Sequence, residues 1–359
     1  MSVWIVIDGD TAMLTDAGGP RPEAFTTALV EARGATLQWD VTASTRFPDA
    51  EIHDSAAATA WIADVYGADM ADAVAIGTTG AHSLPGGADL TDGADLTDAV
   101  RRLATLTWAR TWWPAGVYTP ALVPELLTAE TAVAADAVAH LLDDEDAVER
   151  AVRDAEHAPA ALASVPEALR AEAQQLGEAI AALAEDHGIA LQPAVIDAHR
   201  DDWALAAGAP SAPDVGIEVT HGTAPVRWSD VPAQTVAADS DARWSLRRVD
   251  GAPHLHVTVA AVGAQTGSAS QLRARFGHED LGIDLPLERR GTAFIASAQV
   301  EASVVLLPLD QRTLWVRDPV LAAVPGPPEP EEVRDNVREY AVARLDDPSA
   351  SLAERVAGA

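Results

Sequence analysis

Apolar and polar positions change period repeatedly along this chain. Val3 to Ile7 and Ala12 to Thr15 are short apolar runs on either side of Asp8-Gly9-Asp10-Thr11, the pattern of two strands joined by a tight Asp-Gly turn. A helix is expected from about Pro22 to Arg33, where Phe25, Leu29 and Val30 fall at helical spacing, followed by a strand around Thr36 to Val41. Ser55 to Gly67 predicts a helix with Ala58, Trp61, Ile62 and Val65 on one face, and Asp72 to Gly77 reads as a buried strand leading into a glycine-bordered loop.

The period is helical from about residue 95 to 208. Val100, Leu103, Thr107 and Trp108 form one stripe, closed by Pro114, and a second helix is expected from about Pro120 to Leu142. Ser164-Val165-Pro166-Glu167 has the composition of a helix start, with serine as N-cap and proline at the first helical position. Leu169, Ala173, Leu176, Ile180 and Leu183 then make a seam too short for the sustained heptads of a coiled coil, so it predicts packing in a helix bundle. An Ala/Pro/Gly-rich stretch over 206–216 reads as a linker.

Beyond it, short alternating runs separated by turn signals such as Asp250-Gly251 and Arg290-Gly291 predict antiparallel strands. The fold expected is therefore an α+β multidomain protein. A mixed α/β domain over 1–94 begins with a β-hairpin, a helical region follows over 95–208, a β-sandwich spans 215–325, and a terminal helix covers 331–345. The tandem hexamer Gly-Ala-Asp-Leu-Thr-Asp at 87–98 is a single duplication, too short for a solenoid.

Composition narrows the chemistry. All 24 basic side chains of the 359 residues are arginine, so the lysines that P-loops, protein kinases and pyridoxal enzymes need are absent. There is no cysteine, which removes thiol nucleophiles, cysteine-ligated zinc, iron–sulfur clusters and disulfides. A formal charge of −31 opposes a phosphate backbone, so nucleic acid is an unexpected partner, and the dispersed acids do not resemble a single dense run. The N-terminus has no basic region before its short apolar run, and no apolar stretch is long enough for a membrane span. A cytoplasmic protein is expected.

The candidate chemistry is sparse. Asp8 and Asp10 bracket a glycine, whereas phosphotransferase loops of the Asp-x-Asp-Gly-Thr type carry glycine after the second acid, so a hairpin turn is the expectation here. The loop around Gly77 to His82 meets neither the Walker nor the GxGxxG spacing. His254 and His256 lie two apart in a strand and project from one face, where they could hold a divalent metal with His278, Glu279 or Asp280 as third ligand. Arg110, Trp112 and Trp113 suggest a partner contact, with Trp113 off the buried helix face. His199 to Trp203 suggests a surface role. No complete catalytic constellation emerges and no cofactor is implied. The economical expectation is a non-enzymatic interaction protein, an adaptor or a subunit of a larger assembly with a protein partner. The alternatives are a metal-dependent hydrolase using His254 and His256, and a small-molecule sensor with a pocket between the N-terminal and helical regions.

Overall fold

The computed structural model of the chain describes residues 2–8, 11–16, 23–43, 47–83, 91–193, 216–262, 271–278 and 282–359. Among these the protein is mixed α+β, with ten helices and three antiparallel sheets. It divides into two compact units: unit 1 is Met1–Thr111, Val123–Val195 and Ala343–Ala359, and unit 2 is Trp112–Leu122 and Ile196–Val342. The N-terminal strands and the central helices, successive regions by sequence pattern, thus belong to one unit.

Unit 1 opens with strands β1 (Ser2–Asp8) and β2 (Thr11–Asp16), paired antiparallel with Asp8 opposite Thr11. Residues 9 and 10, including Asp10, lie outside the described set. Next come β3 (Thr27–Ala32), β4 (Ala35–Asp40) and β5 (Asp49–Ile52), then helices α1 (Ser55–Tyr66) and α2 (Ala68–Ile76), and β6 (Gly80–Ser83). These strands form one six-stranded sheet in the order β3-β4-β5-β2-β1-β6. Its inner face buries Val3, Ile5, Leu14, Val30, Leu37 and Ile52.

In this first part of unit 1 two elements differ from the sequence expectation. The helix predicted over 22–33 is instead a three-residue 3-10 turn followed by β3, because Ala28, Val30 and Ala32 alternate into the core with period two and Arg33-Gly34 turns the chain into β4. Gly34 sits at φ +73, and an added Cβ there would lie 2.3 Å from the Asp54 carbonyl oxygen. Gly34→Ala is expected to cost about 2 kcal/mol or more, read as a lower urea midpoint. The strand predicted over 72–77 is the end of α2, in which Met70, Ala71, Ala73 and Val74 are buried and Gly77 closes the helix in the left-handed conformation. A short apolar run does not by its own periodicity distinguish strand from helix, and alanine tips it to helix.

The remaining helices of unit 1 include α3 (Thr91–Trp112), α4 (Pro124–Ala137), α5 (Ala147–Asp154), α6 (Ala158–Ala163) and α7 (Arg170–Asp186). Trp108 of α3 is buried and donates from its indole to the Phe25 carbonyl at 2.9 Å. Ser164 does not start a helix. Its hydroxyl donates to the Ala161 carbonyl at 2.7 Å at the end of α6, and α7 begins only after the 3-10 turn Glu167–Leu169. Of the predicted seam, Leu169, Ala173 and Ile180 are fully buried. The linker over 206–216 lies outside the described residues except for Gly216.

Unit 2 contains β7 (Ile217–Ala224), β8 (Ala242–Val249), β9 (Ala252–Ala260), β10 (Arg273–Phe276), β11 (Ile283–Pro286), β12 (Glu288–Arg290) and β13 (Ala293–Gln299), then α8 (Ala302–Val305) and β14 (Leu314–Arg317). Helix α9 (Glu331–Leu345) begins in unit 2, and α10 (Leu352–Gly358) belongs to unit 1. The strands make a five-stranded sheet, β12-β13-β9-β8-β7, and a three-stranded sheet, β11-β10-β14. Leu246, Leu255, Val257 and Phe294 of the first and Ala274, Phe276, Leu314 and Val316 of the second share one core, in which Trp244 and Phe276 lie 4.8 Å apart. The apolar run at 303–307 is not a strand: α8 occupies its first half and buries Val304. Among the described residues no helix is long and apolar enough to cross a membrane.

Candidate functional site

In β8 and β9, alternate residues enter the core, so the intervening ones face outward. Register places His256 opposite Ser245 on one side and Ser297 on the other, with His254 opposite Arg247 and Gln299, and Thr258 opposite Arg243. On the neighbouring strand His221 is opposite Ser245, and Glu218 is opposite Arg247. At the far edge, Glu288 and Arg290 of β12 share this face through their pairing with Ile295 and Ala293.

The side chains form a connected polar layer. The Arg247 Nε donates to the Ser245 hydroxyl at 3.0 Å, and its guanidinium lies 3.6 Å from Glu218, whose other oxygen meets the His221 Nδ1 at 2.8 Å. His256 Nε2 lies 3.3 Å from the Thr258 hydroxyl. Ser245 is only 7% exposed although it faces outward, because the longer side chains around it shield it. Burial, and then the nearby Arg247 charge, hold the His256 imidazole below its ordinary range, which favours the neutral ring at neutral pH. His254 and His256 do share a face, but His278 follows β10 in the other sheet and is exposed. Glu279 and Asp280 lie outside the described residues. Among the described residues no group of three or more His, Asp or Glu side chains is placed to hold a metal ion.

Of the residues expected to make a partner contact at the end of α3, Trp113 is not on the surface. Trp113 is 2% exposed and its indole donates to the Pro120 carbonyl at 2.9 Å, so it is a core residue. Trp112 is half-buried, and Arg110 pairs with Asp154 at 3.3 Å. The helix ends between Trp112 and Pro114, so the position of Trp113 no longer follows the helical period.

Exposed apolar surface lies elsewhere, on the outer face of the six-stranded sheet. Trp4 and Val6 of β1 are 42% and 49% exposed. Trp4 lies between Thr15 and Ala81, and Val6 is opposite Met13. From Met13 the register runs across the sheet through Glu51 and Thr36 to Glu31, so an apolar end grades into an acidic one. The signal was present in the sequence: period two through Val3 to Val6 puts valine and isoleucine inside and leaves tryptophan and valine outside.

A pocket of about 250 Å³ lies among α3, α4 and α7, lined by Ala99, Arg102, Glu130, Val133, Ala134, Ala137 and Leu176. Its carboxylate is already engaged. Glu130 accepts from the Leu352 and Ala353 amides at 2.8 and 3.1 Å and from Arg102 at 3.1 Å, thereby capping α10. Beside it, Ser351 and Glu354 form a capping box and Arg344 grips Glu354 with two donors at 3.0 and 2.8 Å. Helix α10 was missed by periodicity, although Ser351-Leu352-Ala353-Glu354 is a legible helix start. His199 to Trp203 lie outside the described residues. The chain matches no family model, and neither a curated protein nor a solved structure matches it.

Proposed function

We propose that this chain is a non-enzymatic interaction protein, an adaptor or subunit of a larger cytoplasmic assembly, in which unit 2 is a sandwich of its two sheets. The observation that supports this is the outer face of β1, where Trp4 and Val6 stand exposed next to Met13. A large aromatic side chain left on an open sheet face is the kind of anchor that partner interfaces bury. The acidic row beside it, Glu51 and Glu31, and the overall charge of −31 favour a partner that surrounds an apolar anchor with basic residues. A metal-dependent hydrolase built on His254 and His256 would need a third ligand, and the described residues place none beside them.

The test compares tagged wild-type protein with Trp4→Glu and Val6→Glu in affinity purification from the source cells, with circular dichroism to establish that each variant is folded. The expected result is a basic protein recovered in stoichiometric amount with the wild type and lost from both folded variants. Equal recovery with all three, or recovery of the chain alone, sinks the proposal.

A further inference from the structure

We propose that the outward face of the five-stranded sheet in unit 2 docks an acidic segment of a partner protein. This deepens the interaction reading by naming the chemistry of a second surface, distinct from the Trp4 face. Acidic residues outnumber basic ones 55 to 24 in the chain, yet this face carries Arg243, Arg247 and Arg290 against Glu218 and Glu288. Glu288 is engaged by Arg290 at 3.0 Å, and Glu218 is shared between His221 and Arg247. Arg243 is exposed and has no ion-pair partner among the described residues.

Shape and chemistry select the occupant. The surface is a strand array whose outward side chains include Ser297, Gln299 and Thr258 as neutral hydrogen-bonding groups and no Phe, Tyr or Trp. It therefore lacks the stacking platforms on which unpaired bases are held. The strongly negative remainder of the chain repels a long polyanion, whereas a few carboxylates held against the face interact within a Debye length of about 8 Å. Arg243 and Arg247 are four residues apart on one strand, roughly 13 Å, the repeat of carboxylates four apart on an extended segment.

The experiment is anisotropy of a fluorescent oligoglutamate peptide titrated with the full chain at about pH 7.5, where the glutamates are ionised, with an oligoglutamine peptide of the same length as the neutral comparison. Oligoglutamate is expected to bind about tenfold more tightly than oligoglutamine. Its binding is expected to be lost in Arg243→Glu combined with His254→Glu and kept in Arg243→Lys. Trp4→Glu, run in parallel, should leave peptide binding unchanged, so failure of the Trp4 face and failure of this face give different results. No binding, equal binding of oligoglutamine, an unaffected double variant, loss in Trp4→Glu, or tighter binding of inorganic phosphate or a single-stranded RNA than of the peptide each overturn the proposal.

Discussion

Trp113→Ala is expected to destabilise the protein by about 3–5 kcal/mol, the cost of emptying a buried aromatic site. The residue is 2% exposed, its indole is bonded to Pro120, and the segment that carries it is stitched into unit 2 by further bonds. Ala238 donates to the Ala115 carbonyl at 2.8 Å, the Val117 amide donates to Asp239 at 2.8 Å, and the Leu122 amide donates to Gln234 at 2.5 Å. Losing the indole therefore removes apolar contact and leaves the Pro120 carbonyl without that donor. Urea unfolding should show a lower midpoint with an unchanged slope. A cost below about 1 kcal/mol, as for an ordinary surface substitution, would return Trp113 to the surface.

Glu130→Ala is expected to cost about 3 kcal/mol, for a different reason. The carboxylate is buried on α4 and is the acceptor for two amides at the start of α10, so truncation strands both donors. Faster proteolysis within Ala343–Ala359 should accompany the loss of global stability. The pH dependence has a definite sign. Burial raises the Glu130 carboxyl above its ordinary value, with Glu354 adding to the rise, while the two amide bonds and Arg102 oppose it. Its contribution is thus fully present below the ordinary carboxylate range and declines as pH climbs through the raised value. The difference between wild type and Glu130→Ala should be larger in mild acid than at neutral pH. Asp144 and Asp347, held below their ordinary range by their hydrogen bonds, act in the opposite direction but are common to both proteins and cancel. A difference that grows toward neutral pH would contradict the assignment.

How much of this was legible depended on the range over which each feature is determined. The alternation of Trp244 and Leu246, and of Leu255, Val257 and Val259, is a local statement about one strand's two faces, and the core uses those residues. Asp54 ahead of Ser55 is likewise local, and its carboxylate accepts from the Ala56 and Ala57 amides in α1. Phe25, Leu29 and Val30 misled because two of them also satisfy a strand, and the turn at Gly34 was decided by a neighbour, Asp54, twenty residues on. Trp113 misled because a helical wheel was extended past the last helical residue. Glu130 stands among Leu126, Leu127 and Ala134 at buried spacing, which was a visible anomaly. Its partners lie 222 and 223 positions away, a separation that no pattern in a single chain reveals.

The boundaries of the two units have a consequence for biosynthesis. The chain leaves unit 1 after Thr111, returns at Val123, leaves again after Val195 and returns at Ala343. Every residue of unit 2 is therefore translated before the segment that supplies the partner of Glu130. The amides of Leu352 and Ala353, which complete the hydrogen bonding of Glu130, are thus among the last parts of unit 1 to be made. A nascent protein stalled or truncated before them would leave the buried Glu130 acceptor without these two donors, although all of unit 2 had already been translated.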